Sequence, residues 1–257
     1  MTELRGLYTL WLREVKRYLR DRTRIISSFV QPLLWLVIFG VGIGASLGNV
    51  VPIPGLNYQQ LIFPGIVGQT LFFTSMFMGI SVIWDKEFGF MKEILVAPIS
   101  RMSIFLGKMV GDSTDALIQG IIVLILGLAL GIKIDLITFL TCLPVMLLIT
   151  FGLVSIGLTI ASFMGSLESF GAIQSFINLP LFFLSGALFQ IQSLPYWMQV
   201  VSRANPLTYG VDALRGIILG GVWQPFQVQP LLVDLAVVGV FDLGMIVIGT
   251  WAFTRMK

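Results

Sequence analysis

Seven charged residues crowd into the stretch from Trp84 to Lys108, and long apolar runs flank it on both sides. They are Asp85, Lys86, Glu87, Lys92, Glu93, Arg101 and Lys108. Hydrocarbon offers such groups neither water nor counter-charges, so this island must lie in water or at a membrane surface. The runs around it are long enough to cross a bilayer. Composition agrees: 56% of the 257 residues are hydrophobic and 11% are charged, against about 25% charged in a soluble domain. An all-α integral membrane protein follows, because an isolated apolar span satisfies its backbone only as a helix.

The same residues exclude several chemistries. The chain has no histidine and one cysteine, Cys142, inside an apolar run. That removes the commonest metal ligand, the usual proton shuttle and any intrachain disulfide. Gly107-Lys108 lacks the upstream glycine and the following Ser or Thr of a phosphate-binding loop, so no nucleotide site is expected. Gly40-Val41-Gly42-Ile43-Gly44-Ala45 only loosely mimics a dinucleotide fingerprint, since no strand precedes it. No metalloprotease or serine-hydrolase motif appears, and Asp234 and Asp242 stand eight residues apart on one expected helix. A cleavable leader is not expected, because the basic N-terminal stretch is long and the run after it is of membrane length.

Six spans are predicted, at residues 25–47, 61–84, 107–132, 137–164, 170–189 and 231–253. Before them, residues 1–24 form a basic amphipathic helix with Leu4, Leu7, Tyr8, Trp11, Val15, Tyr18 and Leu19 as its apolar stripe, suited to the headgroup layer. Gly40, Gly44 and Gly48 have the spacing of close helix approach, and Asn49–Asn57 reads as a loop. Gln69 and Thr70 in the second span, Gln174 and Asn178 in the fifth and Asp242 in the sixth either line a route or bond neighbouring helices. Lys108 and Asp112 are spaced to pair on the third span. Pro180 would free carbonyls in the fifth.

Within the island, Phe88, Met91 and Leu95 recur at helical spacing. Pro98 stops that helix by pushing its predecessor out of the helical region, and Ser100 caps the next. The alternative is an ordinary solvated loop. Gln190–Pro230 is the longest stretch between spans. It holds an interfacial aromatic piece, Leu194–Met198. A helix then starts at Asn205-Pro206 and stops near Gly220, with Asp212 and Arg215 spaced to pair. It is too interrupted to span, so it dips into the membrane or lies on it. Thirteen of the sixteen Lys and Arg fall on the side of the termini and the island, and three (Lys133, Arg203 and Arg215) on the other. That bias places both termini and the island in the cytoplasm.

Two separated stretches carry a resemblance. Lys86-Glu87, Glu93-Ile94-Leu95, Pro98-Ile99-Ser100-Arg101 and Gly107-Lys108 resemble the cytosolic coupling segment of ABC-2-type transporter permeases. Leu184-Ser185-Gly186, Leu194-Pro195-Tyr196-Trp197, Asn205-Pro206-Leu207-Thr208-Tyr209 and Asp212-Ala213-Leu214-Arg215 are similar to that family's signature region. The likeness is closest to the daunorubicin-resistance and nodulation-type permeases. It implies a multi-pass permease in the cytoplasmic membrane of a prokaryote, without catalytic, cofactor or metal residues of its own. A separate ATP-binding subunit would hold ATP and Mg, and a second permease copy, the same or different, would face the first across the route. Neither nucleic acid nor a chemical reaction is implied.

By position, the resemblance assigns coupling to Lys86, Glu87, Met91, Glu93, Leu95, Pro98 and Arg101. It gives residues 1–24 the role of the connecting helix. It makes Pro195, Asn205, Pro206, Tyr209, Asp212 and Arg215 part of external re-entrant helices between the fifth and sixth spans. Asp242 matches nothing in that pattern. The expected function is ATP-driven export of an amphiphilic, drug-like or lipid-linked substrate. The alternative is a proton-coupled secondary transporter using Asp242, which would need no cytosolic docking helix and would usually show internal repeats.

Overall fold

The computed structural model describes residues 2–43 and 58–256, and all the regular structure among them is helical. Helix α1 is Thr2–Arg20 and α2 is Arg22–Trp35, which continues as a π-helical segment, Leu36–Ile43. Next come α3 (Tyr58–Phe77), α4 (Ile80–Glu87), α5 (Phe90–Val96), α6 (Arg101–Ala129) and α7 (Leu136–Phe163). Then follow α8 (Leu167–Phe183), α9 (Tyr196–Ala204), α10 (Pro206–Leu219) and α11 (Leu231–Arg255).

Among the described residues, four helical stretches are long and apolar enough to cross a membrane: Tyr58–Glu87, Arg101–Ala129, Leu136–Phe163 and Leu231–Arg255. They correspond to the second, third, fourth and sixth predicted spans. The third begins earlier than expected because Ser100 caps it, its side chain accepting from Ser103 N–H. The fifth is shorter than expected: α8 has 17 residues and stops at Phe183, three residues past Pro180. At helical rise that is about 26 Å, short of a ~30 Å hydrocarbon core. Helix α2 and its π-helical continuation occupy the first predicted span as far as Ile43. Gly44, Gly48 and the loop expected at Asn49–Asn57 lie outside the described residues.

The island is two helices rather than one. Gly89 separates α4 from α5 with φ of +80°, a conformation that suits glycine because it has no Cβ. Phe88 and Met91 therefore do not share a stripe: Phe88 is 72% exposed and Met91 is buried. The stop at Pro98 forms as expected, with Ala97 extended at ψ 144°.

Helices α3, α6, α7 and α10 enclose one core around Phe63, Ile66, Leu71, Met146, Leu153 and Val211. A second core near the island joins Leu10 of α1 to Val82, Met91, Phe105, Leu158 and Phe253. Between them, the break that separates α3 from α4 crosses α7 at bare backbone. A Cβ on Gly79 would overlap the Gly157 carbonyl, and one on Gly157 would lie 2.7 Å from the Met76 carbonyl. Small residues let helices meet this closely. Gly157→Val should therefore push α4 off α7 and cost about 1–3 kcal/mol. A lowered thermal midpoint in detergent reads this out, whereas Gly171→Ala, where a Cβ meets nothing within 4 Å, should leave the midpoint in place.

Candidate functional site

Helix α1 has two faces. Leu10, Glu14 and Tyr18, four residues apart, are buried against the bundle, and α1 runs along α6. Gly107 and Gly111 of α6 permit this: a Cβ on Gly107 would lie 2.9 Å from Leu10 Cβ, and one on Gly111 2.8 Å from Glu14 Cβ. Leu4, Tyr8 and Leu19 form the outward stripe.

Under α1 lies a buried ion network. Lys108 is fully buried, its Nζ 2.7 Å from Asp85 Oδ2 and 3.0 Å from Glu14 Oε1. Arg13 grips the same Asp85 with both guanidinium nitrogens, at 2.6 and 3.1 Å. Arg17 lies 3.6 Å from Glu14 Oε2. Three helices, α1, α4 and α6, thus meet through two carboxylates and their cations. Lys108 takes these partners in place of the expected i, i+4 pairing with Asp112, and Asp112 accepts from Ser81 Oγ at 3.3 Å. The charges are opposed and hydrogen-bonded, which is the condition for keeping ions out of water. Arg17 also covers the Trp84 ring at 4.9 Å, and Arg13 covers Phe90 at 5.7 Å.

Two further ties fix the island. Lys86 donates to the carbonyls of Ala161, Ser162 and Met164 at 3.0, 2.6 and 3.0 Å, closing the C-terminus of α7. A cation there satisfies orphan carbonyls and meets the negative end of the helix dipole. Glu3 accepts from Ser100 N–H and Ser100 Oγ at 3.0 Å, tying the start of α1 to the start of α6. The hydroxyls of Ser103 and Ser100 and the Ser100 N–H hold Glu3 below its ordinary 4.5. Burial alone would raise Glu14. The Lys108 charge and hydrogen bond, together with Arg13, outweigh both burial and the Asp85 charge, and Glu14 too lies below 4.5.

The remaining island residues divide by exposure. Met91 is buried and Leu95 and Arg101 are half-buried, while Glu87, Lys92, Glu93 and Pro98 are exposed. Among those charges Phe88 and Val96 stand 72% and 85% exposed. Two large apolar side chains thus stand exposed in a segment that is otherwise polar on its outer side.

At the other end of the bundle, Pro195 precedes α9, and the Asn205 side chain caps α10 by accepting from Leu207 N–H. Asn205 Nδ2 also donates to Leu181 O, and Tyr209 Oη donates to Arg203 O. Asp212 and Arg215 do not pair as their spacing suggested. Asp212 accepts from Trp223 Nε1 at 2.8 Å and from Val228 N–H at 2.7 Å, locking α10 to the lead-in of α11. Arg215 donates to Ala187 O at 2.7 Å and lies over the Trp223 ring. Sequence reasoning passed over Trp223, which closes this knot.

The interior polar residues have distinct placements. Thr70 donates to Ile66 O within its own helix, and Gln174 donates to Met76 O, the carbonyl beside the α3–α4 break. Gln69 and Asn178 are buried, with Gln69 Nε2 and Oε1 and Asn178 Oδ1 making no hydrogen bond. Asp242 is buried and neither of its carboxyl oxygens is bonded. Sequence reasoning also missed Glu14. The available signal was Lys108, a cation at the edge of an apolar run, which required an acid from another segment.

Residues 5–219 match the family model of the ABC-2 type transporter. The chain is 30% identical over 222 residues to the ycf38 protein of Cyanophora paradoxa, covering 86% of this chain and 76% of that one. It is 27% identical to nodulation protein J of Rhizobium leguminosarum bv. trifolii, over 76% of this chain and 74% of the relative. It is 25% identical to the inner membrane transport permease YadH of Escherichia coli strain K12, over 84% and 83%. The chain belongs to the ABC-2 type transporter family and is a membrane transport permease.

The network makes two outcomes measurable. Lys108→Met takes the fully buried cation from Glu14 and Asp85 and leaves them to Arg13 and Arg17 at the network's edge, which should cost about 3 kcal/mol. Adding Glu14→Gln and Asp85→Asn should recover part of it, seen as a partial return of the thermal midpoint. Because Glu14 titrates lower in the folded state, its stabilisation is full above its ordinary 4.5 and is lost as pH falls through the lower folded value. Glu14→Gln should therefore flatten the acid limb of the stability profile.

Proposed function

We propose that this chain is the permease subunit of an ATP-driven exporter, and that the island elbow receives motion from a separate ATP-binding subunit. The carrying observation is that α4 and its continuation expose Phe88 and Val96 together with Glu87, Lys92 and Glu93, while Asp85 of the same α4 is held in a buried ion network. The patch is where a partner would sit. The network and the Lys86 bonds make the elbow one piece with α6 and α7, so displacement of the elbow cannot be absorbed locally. Closure of the ATP-binding subunits would shift the spans between inward-open and outward-open arrangements, by as much as the differential affinity for ATP allows. The charge bias of the sequence supports a cytoplasmic side for the elbow and both termini.

Two copies of the permease would flank the route, and the tied α9–α10 region would form its outer cover. The apolar interior favours an amphiphilic substrate, drug-like or lipid-linked. The similar YadH and ycf38 proteins are described as transport permeases, which supports transport without naming the cargo. The outward stripe of α1, Leu4, Tyr8 and Leu19, is suited to lipid at the headgroup layer.

In vesicles containing both subunits, Phe88→Ala with Val96→Asp should lower ATP-driven export at least about tenfold, the loss expected when an apolar anchor worth more than 1.4 kcal/mol is removed. The thermal midpoint of the permease should hold. A cysteine at position 92 should react with an impermeant maleimide only from the cytoplasmic side. Labelling from outside, or undiminished export, would refute the coupling role.

A further inference from the structure

Going round α1 at about 100° per residue, four sectors follow one another. Leu10, Glu14 and Tyr18 are buried against the bundle. Leu4, Tyr8 and Leu19 come next, 77%, 56% and 58% exposed. Arg5, Lys16 and Arg20 follow, also exposed. Arg13 and Arg17 close the circle, bonded to Asp85 and Glu14 and lying over Phe90 and Trp84 of the island. Two adjoining sectors, one apolar and one cationic, are left uncovered. Both acids of α1 lie outside them: Glu14 is buried on Lys108, and Glu3 is bonded to Ser100. Arg5, Lys16 and Arg20 form no ion pair among the described residues.

The depth of α1 is set where it crosses α6, at Gly107 and Gly111. Helix α6 has 29 residues, about 43 Å, and so exceeds a ~30 Å hydrocarbon core by about 13 Å. Its charges, Arg101, Lys108, Asp112 and Asp115, all precede Ala116, so the excess lies at that end. About 13 Å is about nine residues, counted from Arg101, which puts the membrane boundary at the crossing.

A phospholipid presents phosphate and hydrocarbon side by side at this level, the same juxtaposition as the two uncovered sectors. A zwitterionic lipid brings its own cation against Arg5, Lys16 and Arg20, whereas a net anionic lipid does not. An acidic soluble protein would match the cations but leave Leu4, Tyr8 and Leu19 in water. The apolar exposure also continues along α2 through Ile26, Val30 and Leu34, toward the hydrocarbon. We propose that α1 binds anionic phospholipid, with Arg5, Lys16 and Arg20 holding the head-group phosphates and Leu4, Tyr8 and Leu19 lying on the acyl chains. Net lipid charge, and not merely a bilayer surface, is what the helix selects.

The test uses the full chain in phosphatidylcholine nanodiscs without any ATP-binding subunit, so it does not depend on the export reading. The discs carry a small fraction of phosphatidylglycerol with a photoreactive diazirine in its head group, or of the matching phosphatidylcholine. Adducts are located by peptide mass spectrometry. Relative to α11, whose exposed Val240, Leu243 and Val247 are apolar, the phosphatidylglycerol probe should label α1 more heavily than its counterpart. Arg5→Gln, Lys16→Gln and Arg20→Gln should each lower that preference about fivefold. All three side chains are exposed, so the thermal midpoint in detergent should hold. Lys133→Gln, at an exposed cation beyond the far end of α6, should leave the preference unchanged. Equal labelling of α1 by the two probes, or a preference that survives the triple substitution, would overturn the proposal. Loss of α1 labelling on adding the ATP-binding subunit would overturn it too, since the cations would then belong to a protein partner.

Discussion

A lysine ammonium held away from water beneath the first helix organises this permease. Lys108 cannot stay charged there without Glu14 and Asp85, and each acid arrives on a different helix. The pairing therefore sets where α1 and α4 sit on α6. Arg13 adds a second cation to Asp85, so two acids are shared among three helices and no one helix can slide without stranding a charge. Such networks contribute less to net stability than to registration, since the alternative arrangements leave ions unpaired.

Around that point the molecule uses different forces at its two ends. On the island side ion pairs are joined by charge-assisted hydrogen bonds, Glu3 on Ser100 and Lys86 on the last carbonyls of α7, and by arginines over Trp84 and Phe90. At the opposite end neutral and charge-assisted hydrogen bonds do the corresponding work. Asp212 holds the indole of Trp223 and the backbone at Val228, and Arg215 holds Ala187. Between them, the bare-backbone crossing at Gly79 and Gly157 joins the two cores. The polar groups in the middle are of two kinds. Gln174 repairs a carbonyl beside a helix break, whereas the Asp242 carboxyl packs on the bare backbone of Gly152.

Much of this was legible from residue order because the signals are local. The long apolar spans, the stop at Pro98, the Ser100 cap and the Asn205-Pro206 start all follow from backbone chemistry within a few residues. Pairings across the fold were not legible. Lys108 with Asp112 and Asp212 with Arg215 looked right on a helical wheel, yet packing supplied nearer partners from elsewhere. Glu14 was hidden because in an amphipathic helix rich in arginine an acid reads as surface decoration. Its burial depends on Gly111, 97 residues later, leaving space for it. The left-handed turn at Gly89 was missed because the apolar periodicity ran straight through it.

The sequence distance spanned by the Glu14–Lys108 bond sets an order of events during synthesis. Ninety-four residues separate the two partners. At about 5–20 residues per second, α1 waits about 5 to 20 s before its counter-ion has even been made. For that interval Glu14 has only the cations of its own segment, Arg13, Lys16 and Arg17 among them, and the amphipathic helix rests on the bilayer surface. Lys86 waits almost as long for the end of α7, 75 residues downstream. The chain thus inserts its first hairpin unfastened, and its lowermost joint closes only after later segments have entered the membrane.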